Sequence, residues 1–145
     1  MKVMPVTVTK RSLDGDVAIG DVVTLQDRIE LMTVEAVRSE TFGLVIDCCW
    51  FDRKDCLRFR RFPVSTIDIF PRAARERDLE TGMEVRLRSR GPVMTIRRIC
   101  ERESRTFAEC VWTGPMGRER RRLFPRSALV LTMIERFEGL GGQEI

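Results

Sequence analysis

Histidine and tyrosine are absent from this 145-residue chain, and lysine occurs only at Lys2, Lys10 and Lys54. Without histidine, the usual general base at neutral pH and the commonest metal ligand are both missing. No Gly-x-Ser-x-Gly elbow and no P-loop is present, so the familiar acyl- and phosphoryl-transfer sites have no sequence basis. The five cysteines (Cys48, Cys49, Cys56, Cys100, Cys110) are odd in number and lack Cys-x-x-Cys spacing. A disulfide framework or a zinc site needs paired spacings. The expectation is therefore reduced thiols, no metal, no cofactor and no catalytic residue. No apolar stretch approaches the roughly 18–20 residues of a membrane span. The leading MKVMPVTVTKR lacks the apolar core of a signal peptide. A cytoplasmic protein without membrane contact is expected.

What is present is an internal repeat. Shifting residues 20–69 by 62 positions lays them, without a gap, on residues 82–131. Gly20 meets Gly82, Met32-Thr33 meets Met94-Thr95, and Cys48-x-Trp50 meets Cys110-x-Trp112. Arg58-x-Arg60 meets Arg120-x-Arg122, and Phe62-Pro63-x-Ser65 meets Phe124-Pro125-x-Ser127. Roughly a quarter of the positions are identical, over a period too long for a solenoid unit and suited to a small domain. The chain divides into a first copy with an N-terminal extension (residues 1–70), a connector (71–81), a second copy (82–134) and a glycine-bearing tail (135–145). Cores this small are marginal alone, so the copies are expected to lean on each other or on a partner.

Each copy reads as five short strands. A glycine turn leads to Val23 and Leu25, or Val85 and Leu87, followed by Met32-Thr33-Val34, or Met94-Thr95-Ile96. In the third strand Phe42, Leu44, Ile46, Cys48 and Trp50 alternate with Asp47 and its neighbours, which sets the first series inward and Asp47 and Glu109 outward. An arginine-rich strand then ends at Phe62 or Phe124, where Phe-Pro-x-Ser makes a tight turn into a closing strand. Cys48 and Cys110, Trp50 and Trp112 read as matched core residues. The fold class is all-β: two tandem SH3-like five-stranded barrels, with the connector at 71–81 as the one candidate helix. Val6 and Val8 suggest an added N-terminal strand.

These residues also resemble a family. RLRSRGPVMTI, AECVWT and RRRLFPRSAL in the second copy, and GDVV at 20–23 with CWFD at 49–52 in the first, are similar to the YodC-like proteins, small uncharacterised bacterial domains. Both copies carry the likeness, over about 50 residues each. The first copy replaces the Gly91-Pro92 turn by Ile29-Glu30. The resemblance implies the fold and a bacterial origin, and it implies no activity.

Charge separates the two copies. Residues 20–69 hold seven Lys or Arg against nine Asp or Glu, a net −2; residues 82–131 hold twelve Arg against five Glu, a net +7. Arginine grips phosphate bidentately and stacks on bases. A non-enzymatic module whose basic second copy binds a polyanion, foremost nucleic acid, is expected. Its candidate residues are Arg86, Arg88, Arg90, Arg97, Arg98, Arg118, Arg120, Arg121, Arg122 and Arg126. Small barrels bind single strands with a basic groove and exposed aromatics. The bland alternative is a solvated arginine face written by a GC-rich genome. A second functional reading is a protein-interaction module that takes an acidic protein surface, or associates with itself through the acidic first and basic second copies. Phe51 and Phe59, replaced by Thr113 and Arg121 in the second copy, are its exposed candidates.

Overall fold

A computed structural model describes residues 17–70 and 78–132. The first copy runs β1 (Val22–Leu25), β2 (Met32–Glu40), β3 (Gly43–Phe51), β4 (Leu57–Pro63), a 3-10 turn (Val64–Thr66) and β5 (Ile67–Phe70). The second runs β6 (Glu84–Leu87), β7 (Met94–Arg102), β8 (Arg105–Thr113), β9 (Glu119–Pro125), a 3-10 turn (Arg126–Ala128) and β10 (Leu129–Leu131). Every element start in the second copy lies 62 residues after its counterpart in the first, from Val22 and Glu84 to Ile67 and Leu129, so the five strands correspond in order. One extra 3-10 turn, Pro115–Gly117, joins β8 to β9.

Both sheets are antiparallel, ordered β4-β3-β2-β1-β5 and β10-β6-β7-β8-β9. The outer strands of each order do not pair with one another, so neither sheet closes by a ladder among the described residues. The tight turn at Phe-Pro returns the last strand to the first: Val23 pairs with Ile69, and Val85 with Leu131. Proline at this corner supplies an extended φ near −60° and needs no ladder donor. Gly20 and Gly82 open the two copies at φ +98° and +94°, and each donates its N–H to the repeat-equivalent carbonyl, Val34 or Ile96, at 2.8 Å. That left-handed backbone is what the glycine is for.

Each copy has its own core. Val23, Met32, Val34, Ile46, Cys48 and Phe62 meet in the first; Val85, Leu87, Met94, Ile96, Ala108, Cys110, Trp112 and Phe124 meet in the second. Strand alternation therefore sorts most of the inward residues as the sequence suggests; Leu25 and Leu44 are only partly buried, and two aromatics depart further. Phe42, expected inward, precedes β3 and is 75% exposed. Trp50 is only half-buried, whereas its counterpart Trp112 is 6% exposed. The thiols are free, and burial pushes those of Cys48 and Cys49 well up and that of Cys110 to about 12. They behave as small apolar fillers. The candidate helix at 71–81 lies mainly outside the described residues, and residues 78–81 form no helix. The suggested N-terminal strand and the tail also lie outside them.

The outward face of β3 holds a surprise for simple alternation. Cys49, on the opposite face from Cys48, is fully buried because it belongs to the core of the second copy, with Phe51 and Leu57 packed beside it. The two copies thus share apolar surface, as their small size requires. Thr33 seals the contact from the other side: its hydroxyl hydrogen bonds with that of Ser89 at 2.7 Å and accepts the Ser89 backbone N–H at 3.0 Å.

Candidate functional site

A bulge begins the site. In both copies β2 or β7 slips by one residue against its neighbour, between Val34 and Ala36 and between Ile96 and Arg98. The extra residue is Glu35 in the first copy and Arg97 in the second. A bulge re-aims the side chain it carries, and Glu35 is thereby turned to the second copy. It accepts a two-pronged contact from Arg122, Nη1 to Oε2 at 2.5 Å and Nη2 to Oε1 at 3.0 Å. The Arg122 guanidinium also lies over the Phe59 ring, 4.4 Å from its centroid, and over the Phe124 ring at 4.9 Å. Burial works against the Arg122 charge, but the Glu35 contact outweighs it and raises the pKa. One acidic–basic contact between the copies is thus made within the chain.

Around this ion pair opens a groove of about 520 Å³ at the junction of the copies. Leu57, Phe59 and Asp55 line it from the first copy, and Trp112, Met116, Arg118, Arg120 and Arg121 from the second. Phe59 is 54% exposed and Met116 is 89% exposed. The Pro115–Gly117 turn, with Met116 and Gly117 at φ 65° and 71°, carries Met116 to the rim. Arg118 and Arg120 stand on the exposed end of β9 and its approach, and Arg121 makes only a long 3.7 Å contact with exposed Glu119.

The ten candidate arginines do not form one surface. Arg118, Arg120 and Arg121 share the junction groove, with Arg122 at its floor already held by Glu35. Arg86, Arg88 and Arg90 line a second groove, of about 540 Å³, beside Gly91 and Val130. There Arg88 donates from Nε to the Ser127 carbonyl at 2.7 Å. Arg98 is paired across the strands with Glu109 at 2.9 Å, Arg97 is exposed at the bulge, and Arg126 lies 3.9 Å from Asp78. In the first copy Arg38 and Arg61 both grip Asp47, and Arg58 grips Asp52. Burial alone would raise the Asp47 pKa, yet the two arginines hold it below the usual carboxylate value. Arg38, Arg58 and Arg61 of the first copy are thus compensated, whereas Arg118 and Arg120 of the junction groove face no carboxylate partner among the described residues.

Phe51 requires a correction. Its ring is not offered to an outside protein: it stands edge-on to Trp112, 5.4 Å between centroids at 87°, and its edge lies where a Cβ on Gly91 would sit. It is an internal anchor between the copies. Phe59 remains exposed, as its replacement by Arg121 in the repeat suggests. Sequence reading passed over Glu35 and Met116. A signal for Glu35 exists in the repeat itself, because Val-Glu-Ala at 34–36 faces Ile-Arg-Arg at 96–98, a charge reversal at one position. Met116 is placed only by the local turn.

Among the described residues no three His, Cys, Asp or Glu side chains cluster to hold a metal ion, and no helix is long and apolar enough to cross a membrane. Searches with this chain match no family model, no curated protein and no solved structure.

Proposed function

We propose that this chain is a non-enzymatic pair of SH3-like, YodC-like barrels of bacterial origin that binds single-stranded nucleic acid in the groove between its copies. Arg118, Arg120 and Arg121 hold the backbone phosphates, and Phe59 stacks a base. The observation that carries the reading is the pairing of an exposed aromatic with uncompensated arginines in one groove. Single-strand binders combine these two elements, a charged track for the backbone and a π-face for the bases. Arg122 stiffens the platform from beneath: stacked on Phe59 and tied to Glu35, it holds the ring before any ligand arrives. Asp55 on the rim is the one carboxylate lining the groove and bounds the track on one side.

Fluorescence anisotropy with an oligothymidylate over a salt series tests this. Three phosphate contacts predict a log–log slope of about −2, from roughly −0.7 per contact on single strands. Arg118→Ala with Arg120→Ala should weaken binding and flatten the slope by about 1.4. Phe59→Ala should cost about 1–3 kcal/mol with the slope unchanged, as expected for loss of stacking. No binding by the wild type at low salt overturns the proposal. So does a Phe59→Ala protein that stays folded and binds as well as the wild type.

A further inference from the structure

The contact between the copies is head-to-tail. Glu35, Phe51 and Phe59 of the first copy meet Arg122, Trp112 and Gly91 of the second. In repeat numbering those partners correspond to Arg60, Trp50 and Ile29, a different surface from the donating one. A contact between two unlike surfaces leaves one of each unused at the ends of the array. The first copy should therefore still carry a receiving face, and the second a donating face.

The receiving face is present. A small pocket of about 20 Å³ on the first copy is lined by Leu25, Arg28, Met32, Trp50, Arg60 and Phe62, together with Glu30. The first six recur 62 residues on, and only Glu30 changes, to Pro92. Core packing explains Met32 and Phe62, which are buried. It does not explain exposed Arg28 and Arg60, and it accounts for only part of Trp50, which packs on that core without being fully buried. The stack is kept as well: Arg60 lies over Phe62 at 5.8 Å as Arg122 lies over Phe124 at 4.9 Å. Among the described residues no carboxylate pairs with Arg60 as Glu35 pairs with Arg122. Beside the pocket Ile29 is 94% and Leu31 37% exposed, an apolar flank where the second copy has Gly91.

The donating face of the second copy, in contrast, is disarmed. Glu35, Phe51 and Phe59 become Arg97, Thr113 and Arg121. A second molecule of this chain would bring arginine to Arg60 and no ring to Trp50, so the array stops at two. We propose that the receiving face of the first copy docks a different protein, one that presents a phenylalanine ring beside a carboxylate. The ring meets Trp50 edge-on, the carboxylate meets Arg60, and Ile29 and Leu31 cover the flank. The mixed lining of Glu30 with Arg28 and Arg60 suits such a partner better than a polyphosphate.

Restoring the donor on the second copy tests whether this face is competent. The full chain carrying Arg97→Glu, Thr113→Phe and Arg121→Phe should form head-to-tail oligomers whose sedimentation coefficient rises with concentration. Adding Arg60→Glu should return it to the wild-type value. A folded triple variant that sediments as the wild type overturns the proposal, as does self-association that survives Arg60→Glu. Should the triple variant unfold, wild-type chain is titrated with the peptide Ser-Glu-Phe-Glu-Ser. The Trp50 indole N–H resonance should shift and that of Trp112 should not, with no response to Ser-Glu-Ala-Glu-Ser. Equal shifts at both, or none at either, count against it. Oligothymidylate binding separates this reading from the nucleic-acid one. Arg60→Ala should leave that affinity within about twofold of wild type, and a larger loss assigns the face to nucleic acid and overturns the protein partner.

Discussion

Arg60 and Arg122 occupy the same position of the repeat, stack on the same phenylalanine, and differ in what lies opposite. Arg122 is half-buried against a carboxylate, so its removal strands Glu35, which is 12% exposed, without its partner. Losing one side of such a charged hydrogen-bonded pair costs about 1–3 kcal/mol. Arg60 is exposed, and substitution at such a position stays within about 0.5 kcal/mol. Urea denaturation of Arg122→Ala and Arg60→Ala should show that asymmetry, with a large shift in midpoint for the first and almost none for the second. Equal shifts would mean that the Glu35 contact adds nothing beyond stacking on phenylalanine. The fate of one side chain is thus decided by the bulge in β2 of the other copy that turns Glu35 toward it.

Elements repeat more faithfully than their surroundings do. Gly20 and Gly82 begin equivalent strands with nearly the same positive φ and the same hydrogen bond. A Cβ on Gly82 meets nothing within 4 Å, whereas one on Gly20 would lie 2.4 Å from the backbone carbonyl of Ser127 in the other copy. Both alanine variants carry the backbone strain, of order 1–3 kcal/mol. Gly20→Ala should also force the copies apart at this seam. Thermal unfolding should therefore rank Gly20→Ala clearly below Gly82→Ala, and a matched pair of melting temperatures would argue that the seam yields at no cost. The same logic separates the two faces of β3. Its inward residues follow from alternation, but Cys49 is buried only because a second sheet arrives on the other side.

For the whole molecule, shared core means shared stability. With Cys49, Phe51 and Leu57 packed on the second copy, neither copy can open without exposing the other. Calorimetry should record a single transition whose calorimetric and van't Hoff enthalpies agree, the mark of one cooperative unit. Phe51→Ala removes the ring that stands on Trp112 and should cost about 3–5 kcal/mol, or split the transition in two. Two independent transitions in the wild type would show that the copies are merely tethered.

The repeat, the strand order along each copy and most of the core were legible in the sequence, because period-two alternation and a gapless 62-residue shift act locally and need no partner to be read. Arginine excess in the second copy and exposure at Phe59 were legible too, since both follow from composition and from aligned differences. What the tertiary structure alone decided is how one copy faces the other. The bulge that aims Glu35, the capture of Arg122 and the burial of Phe51 depend on residues 40–90 positions apart, and no local pattern encodes them. The same head-to-tail contact converts ten candidate arginines into two grooves and a few paired charges, and leaves the first copy with Arg60 exposed and Trp50 only partly buried. An interface between unlike surfaces consumes one face of each copy, and which faces remain is a property of the packing.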